Sequence, residues 1–458
     1  MAQSFKRRTG WRAAPPGFVG RLAYRLAVCC GIVLNAAEPA VLNRDRGLSP
    51  AVPKIEAETA ALKEDAVETA AQLAKAYPED SLAYALLGAA YYNVGRSGEA
   101  TKHLQKCLEL NPNQADAYEI LARVAYEKGN LEESAQLCRE ALKRGPANPD
   151  VLNQLGRALM DLGKTDEAIQ GLQQAAGIPN APSQSFYWLG QAYLQSGNFV
   201  QGKINFQKAI AILPDHTQAY FALYRACQAL GQTEEAQRHR EQFVKLEAID
   251  RNSLTEQSAQ MDTLTGLPQV QTTVARTFFG AAQVYRLHHQ PAQAAELFQK
   301  AASLDTGNGS YRTALESHYV QSKMLPEGVA AFEKLSAGQP TNHLNQFFLG
   351  RLHARLDHLE AAVNAFRKVQ ELAPKWAEGY RALADLEVRS NRNLAEALTL
   401  ARKAAELEPT APHFYLLAVA GVKNNDRAGA LEAIKRAVAM APGEKRYREI
   451  LEQISQAP

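Results

Sequence analysis

The sequence is short of nearly everything from which catalysis is usually read. Its five cysteines show no metal-type spacing, its ten histidines are scattered, and neither a P-loop nor a GxSxG nucleophile turn occurs. Cys29 and Cys30 fall in an N-terminal apolar run. Cys107, Cys138 and Cys227 occupy positions that read as buried, so no disulfide framework is implied. His288 and His289 fall at a turn, where polar residues are the default. The stretch "DTGNG" from Asp305 to Gly309 begins like a calcium loop but lacks the later acidic ligands and reads as a turn. No catalytic residue, metal or cofactor is expected, and the chain is not expected to be an enzyme. Runs of β-branched residues are scarce and alanine is plentiful, which points to helices.

Bulk charge is lacking as well. The formal net charge of +3 comes from the first 37 residues, where Lys6, Arg7, Arg8, Arg12, Arg21 and Arg25 stand without an acid; the remainder carries −3. A slightly acidic body excludes a nucleic-acid binder working by bulk electrostatics. The basic start passes into an apolar stretch from Leu26 to Leu34 and then small residues at Ala36 and Ala37. That order describes a signal peptide over residues 1–37, and the apolar stretch is too short for a standard membrane span. An uncleaved anchor or a disordered leader are the alternatives. The expected location is exported, periplasmic or envelope-associated, or alternatively cytoplasmic, with membrane contact only through an uncleaved start. Residues 38–53, with Pro39, Pro50 and Pro53, read as a linker.

What is present is repetition. "LLGAAYYNVGRSGEATKHLQKCLELNP" ending at Pro112 returns, changed in detail, in stretches ending at Pro146 and Pro214, so the prolines recur at one and two multiples of 34 residues. With Ser81 as position 1, the pattern has a large residue at 4, Leu at 7, small residues at 8 and 20, aromatics near 11 and 24, and Pro at 32. Unit one supplies Tyr84, Leu87, Gly88, Ala100, Tyr91, Leu104 and Pro112. Position 20 holds Ala100, Ser134, Ala168, Gly202, Ala236, Ala294, Gly328, Ala362, Ala397 and Ala430, where two helices must cross closely. Position 8 is broken at Tyr224 and Glu316. Gly95, Gly129, Gly163, Gly197 and Gly231 take position 15, where a positive φ ends the first helix cheaply. Pro112, Pro146, Pro214, Pro340, Pro374 and Pro442 stop the second helix.

The pattern resembles the tetratricopeptide repeat over residues 81–444. The resemblance implies an all-α, right-handed superhelical solenoid of helix-turn-helix units. Five units are expected over 81–247 and five over 275–444, with a capping helix at 54–80 and another at 445–458. Residues 248–274 break the period and read as a linker or partial helix that continues the superhelix, or else as a hinge or binding insertion.

The resemblance also implies that the first helix of each unit lines a concave face, with positions 5 and 9 one turn apart and pointing inward. The pairs Tyr187 with Gln191, Phe221 with Arg225, Phe279 with Gln283 and Phe347 with Arg351 join an aromatic ring to a polar head. Arg123, Asn153, Arg157, Arg381 and Tyr415 fall on the same rows. Such rows suit an extended peptide: rings hold apolar side chains, while Arg and Gln pair with carbonyls or carboxylates. The alternative is that the rings pack between units and the Arg heads are solvated. The chaperone-tail carboxylate clamp is not matched, because units one to three carry Ala85 and Ala89, Glu119 and Arg123, Asn153 and Arg157. An asparagine ladder is absent at position 6. The expected function is a non-catalytic adaptor or scaffold that binds a protein or extended peptide in its groove, with no nucleic-acid partner. The alternatives are a structural component of an envelope or secretion complex and a non-catalytic subunit of an enzyme complex.

Overall fold

The structure is a computed structural model that describes residues 51–255 and 258–456. It contains 22 helices and no strand among the described residues, an all-α solenoid of helix-turn-helix units. A first helix, Ala51–Ala76, precedes the repeats. Units one to five pair a helix A with a helix B: Ser81–Asn93 with Ser97–Leu110, Ala115–Glu127 with Leu131–Arg144, Pro149–Asp161 with Thr165–Gly177, Ser183–Gln195 with Phe199–Ile212, and Thr217–Ala229 with Thr233–Thr255. Units six to ten pair Ser258–Leu287 with Pro291–Leu304, Gly309–Gln321 with Leu325–Gly338, His343–Arg355 with Leu359–Leu372, Ala377–Ser390 with Leu394–Leu407, and Ala411–Lys423 with Arg427–Met440. Lys445–Gln456 follows. The leader expected over residues 1–37 and residues 38–50 of the expected linker lie outside the described residues; residues 51–53 already belong to the first helix. No helix among the described residues is long and apolar enough to cross a membrane.

Within a unit, two contacts set the crossing. The glycine at position 8 lies beneath the large residue at position 24. A Cβ added to Gly88 or Gly156 would meet Leu104 or Leu172 at 2.5 Å, and one on Gly190 would meet Phe206 at 2.6 Å. Position 20 then abuts the backbone of helix A, as Gly202 does at the Gly190 carbonyl. The small residue at 8 therefore answers position 24 as much as position 20. Unit seven exchanges the bulk between helices: Gly328 at position 20 lies under Tyr319, while position 8 carries the buried Glu316.

Every turn between A and B places position 15 at positive φ. The first five units use Gly95, Gly129, Gly163, Gly197 and Gly231. The last five reach φ of 54–62° with His289, Lys323, Asp357, Asn391 and Asn425. Asn and Asp tolerate this region, but His and Lys carry its steric cost with no compensating local hydrogen bond from a short polar side chain. The second array thus keeps the turn geometry after losing the residue that makes it cheap.

The order of stacking departs from the continuous superhelix expected from the sequence. Residues 248–274 are helical wherever they are described. Helix B of unit five and helix A of unit six are both extended, the latter with Pro268 inside it. Helix A of unit six packs against Ala51–Ala76 and against helix A of unit one. Ala66, Val67, Ala70, Leu73 and Ala74 form one apolar stripe at helical spacing. They share a continuous core with Val274, Ala275, Phe278, Ala281 and Ala282, and that core runs on from unit six into helix A of unit ten. Polar contacts latch the joint: His288 Nε2 lies 2.7 Å from Asp80 Oδ2, its ring stacks on Tyr77 at 3.8 Å, and Lys300 lies 3.4 Å from Asp65. Ala51–Ala76 matches a helix B that lacks its own helix A, and Ser258–Leu287 fills that place while also serving unit six. The helix expected as an end cap is instead the central joint between two arrays.

A buried cation stiffens the second array. Arg312, at position 4 of unit seven, is fully buried, and its close partners are carbonyl and amide oxygens. Its guanidinium donates to Asn345 Oδ1 at 2.6 Å, the Ala302 carbonyl at 2.9 Å and Gln339 Oε1 at 2.8 Å, linking units six, seven and eight. Burial pulls its pKa down to about 10, so it stays charged at neutral pH.

Two outcomes follow from this architecture. Gly280 lies against Leu86 across the joint, where an added Cβ would sit 2.5 Å from Leu86 Cδ2. Gly280→Leu is expected to cost about 1–3 kcal/mol and to speed amide hydrogen exchange in both Ala51–Ala76 and Ser258–Leu287, leaving units three to five unchanged. Uniform exchange across the chain would contradict the shared joint. Lys323→Gly is expected to raise stability by about 1 kcal/mol in urea unfolding, because it removes the left-handed strain.

Candidate functional site

The A helices of units two to five carry the first row of expected contacts, and their surroundings divide them sharply. Arg123 pairs with Glu119 of its own helix at 2.5 Å, and Glu119 also accepts from Asn148 Nδ2 at 3.2 Å. Burial raises the Glu119 carboxyl while Arg123 works against that rise. The Arg157 guanidinium is held between the Tyr126 and Trp188 rings, 4.7 Å from each, so three successive units touch along one line. Gln191 Nε2 donates to the Tyr187 hydroxyl at 2.8 Å, and Arg225 is exposed.

A second row runs beside the first. Tyr92 donates to Glu127 at 2.8 Å and Tyr126 donates to Asp161 at 2.6 Å, so position 12 of one unit bonds position 13 of the next. Burial, then the acidic acceptor, pushes both phenols up to about 12. Position 12 lies one turn from positions 8 and 9 on helix A, and its bonding to position 13 of the next unit depends on the stacked geometry.

The rings at position 5 are spent on packing, within unit five for Phe221 and towards the next unit for the others. Tyr187 meets His216 at 4.9 Å, Phe221 meets Phe243 at 5.1 Å, and Phe279, Phe347 and Tyr415 meet Tyr311, Trp376 and Tyr447, each at 5.0 Å. Phe347 is buried and the other four are half-buried. Asn153 is buried too, donating to Ser185 Oγ at 3.0 Å across the joint between units three and four. Asn153 and Phe347 are therefore packing residues, and the remaining rings offer a partner only their edges.

In the second array the arginines are largely committed to acids. Arg351 Nε lies 3.0 Å and Arg355 Nε 3.6 Å from Glu316 Oε1, and Glu316 is only 2% exposed. Burial raises the Glu316 carboxyl, and the two guanidinium groups lower it again. Arg381 chelates Glu378 through Nε, at 2.7 Å, and through a terminal nitrogen. Arg351, Arg355, Arg381 and Arg389 line a cavity of about 300 Å³ with Phe347 and Asp385.

The joint between the arrays builds a larger cleft, of about 660 Å³. One wall is the A-helix face of units one to three, with Leu86, Tyr92, Glu119, Ile120, Arg123 and Asp150. The other is Ser258–Leu287, with Thr273, Arg276, Phe279 and Gln283. Arg123, Phe279 and Gln283, widely separated in sequence, thus face one space. Phe347, Arg351 and Arg381 share the smaller cavity, and the remaining expected residues are spread along the two arrays.

Family models described as tetratricopeptide repeat match residues 90–149 and 153–216, 125–180, and 345–375. No curated protein matches the chain in sequence. Among solved structures, the fold is similar to yeast Tom70, at 16% identity and a TM-score of 0.36, covering 82% of this chain and 95% of that one. It is also similar to YrrB, described as a TPR protein with an unusual peptide-binding site, at 19% identity and a TM-score of 0.36, covering 43% and 98%. PilF of Pseudomonas aeruginosa matches at 21% identity and a TM-score of 0.34, covering 55% and 97%.

The acids of the second array give a pH dependence of definite sign. Burial alone would raise the Glu378 carboxyl, but Arg381 and His413 outweigh it and hold the group at about 2. Against an ordinary value of 4.5, its contribution is complete above that pH and is lost as pH falls from 4.5 towards 2. His413, whose pKa is raised chiefly by Glu378, contributes in the opposite sense: fully below 6.5, and less as pH rises through its folded value. The stability gap between wild type and Glu378→Gln, followed by chemical unfolding, should therefore narrow as pH falls below 4.5. A gap independent of pH would refute the assignment.

Proposed function

Since the chain is a tetratricopeptide-repeat protein, we propose that it is a non-catalytic adaptor that holds an extended segment of a partner protein against its A-helix faces. Its repeats support a protein-interaction scaffold role in general terms. The observation that carries the finer reading is the cleft between the arrays. It sets apolar Leu86, Ile120 and Phe279 among Asp116, Glu119, Asp150, Arg123 and Arg276, in a space large enough for several side chains. Its mixed charge suits a peptide with both basic and acidic groups, and from its mouth the row of Arg157, Gln191 and Arg225 continues along units three to five. Arg225 and Arg276 are exposed and available to a partner. The basic and then apolar start of the sequence favours an exported or envelope-associated place of work.

One observation favours a second reading, a structural component that joins a larger complex through its helix B side. Val200 and Ile204, one turn apart on helix B of unit four, are 53% and 38% exposed, and Ile212 on the same helix is 51% exposed.

Photo-crosslinking separates the two. A photoreactive residue at Arg225 or Arg276 is expected to capture the partner in cells, whereas one at Val200 or Gln207 is expected to leave it free. Capture from Val200 and Gln207 alone would transfer the function to the outer face.

A further inference from the structure

Unit five combines at three register positions that meet in space a set of residues that no other unit of its array combines, Cys227 at position 11 being the departure. Position 11 holds Tyr91, Ala125, Leu159 and Tyr193 in units one to four and Cys227 in unit five. Position 19 supplies Glu235 and position 23 supplies His239. Glu235 and His239 are one turn apart on helix B, so they share a face. The tight turn at Gly231, with φ of 73°, folds that face onto Cys227 at the end of helix A. Cys227 is fully buried. One ligand atom from each residue lies within 4.8 Å of the other two.

Each residue has a ligand atom left over at this point. Glu235 spends Oε2 on Lys203 Nζ at 2.6 Å, and Lys203 is fixed further by Gln232 Oε1 at 2.8 Å. That leaves Oε1 turned inward, 3.6 Å from His239 Nε2. His239 Nε2 is buried and makes no hydrogen bond. Unit one shows what this histidine position does when no thiol faces it: His103 stacks flat on Tyr91, with ring centroids 5.4 Å apart. In unit five the ring is replaced by a sulfur, and the imidazole is left with an unsatisfied nitrogen aimed at a thiol and a carboxylate.

We propose that Cys227, Glu235 and His239 bind a zinc ion that staples the two helices of unit five. A tetrahedral zinc ion holds nitrogen and oxygen about 2.0 Å away and thiolate about 2.3 Å away, so its ligand atoms stand about 3.3–3.6 Å apart. The three ligand atoms, within 4.8 Å of one another, would have to draw together by about an ångström to reach that geometry. Three protein ligands leave a fourth position for water. Lys203, on the outer carboxylate oxygen, orients the inner one as an outer-sphere partner. Binding releases the Cys227 thiol proton to solvent, so one thiolate and one carboxylate, with a neutral imidazole, balance the charge of the dication. Thiolate with imidazole selects zinc over magnesium or calcium, which take oxygen ligands.

The test uses the full chain with Cys29→Ser and Cys30→Ser, so that the N-terminal thiols cannot answer for the site. Cobalt(II) is the probe, because a bound thiolate gives a charge-transfer band and four-coordinate geometry gives intense d–d bands. One cobalt per chain is expected, displaced by one equivalent of zinc. Cys227→Ser should abolish the charge-transfer band, His239→Gln and Glu235→Gln should each weaken binding at least about tenfold, and His103→Gln should change nothing. Should Cys227→Ser fail to fold by circular dichroism, His239→Gln, at a partly exposed position, decides the matter alone. No thiolate band in the parent protein, or a band that survives His239→Gln at full affinity, overturns the proposal.

Discussion

The arrangement of this molecule depends on one unpaired apolar stripe. Ala51–Ala76 carries Ala66, Ala70, Leu73 and Ala74 on a single face, and these residues are almost fully buried. An isolated helix with such a face has no stable place in water, and its small residues let a partner backbone approach closely. Helix A of unit one covers only part of it. Ser258–Leu287 completes the burial, and in doing so it brings the second array to the first array's beginning. The extended helices around residues 248–274 then have a purpose: the chain must leave unit five and return to unit one.

That return changes what the A-helix faces can offer. In unit one the positions that would open onto a groove, such as Leu86, meet Gly280 of the returning helix. The cleft beside this contact exists because two arrays share a wall. Elsewhere the A faces are partly consumed by the stack itself. The aromatic rings wedge the joints, Arg157 lies between two rings, and Arg351 neutralises a buried acid. Truncating Arg351 would leave Glu316, in its desolvated site, with Arg355 alone, whereas Arg225 and Arg276 are exposed.

The second array reaches the geometry of the first by different chemistry. Its turns hold left-handed residues without glycine, its seventh unit inverts the bulk at the helix crossing, and its core contains Arg312 satisfied by carbonyl and amide oxygens. A buried guanidinium held chiefly by neutral oxygens survives because its donors are shared among three units, and truncation would leave several acceptors unpaired at once. Fidelity to the repeat pattern is therefore a poor measure of how firmly a unit is built. Glu316 breaks the pattern and anchors two arginines.

The period, the ten hairpins, the crossing residues and the glycine turns of the first array were legible in the sequence, because a helical hairpin is a local object. Its small residues, its turn and its stop all fall within 34 residues, and each has a steric reason that does not depend on what lies outside the unit. The turns of the second array were hidden, since Lys323 and His289 give no sign of a left-handed backbone. Which rings and arginines face a partner was hidden as well, because position 5 looks alike whether its ring meets solvent or the next unit. Only the tertiary structure decided the order of stacking. His288 and Asp80 are 208 residues apart, and an apolar stripe waiting for a distant helix has the same spacing as one waiting for its neighbour. Local sterics write the unit into the sequence; the pairing of faces is settled by which of several equivalent surfaces is left uncovered when the chain has folded.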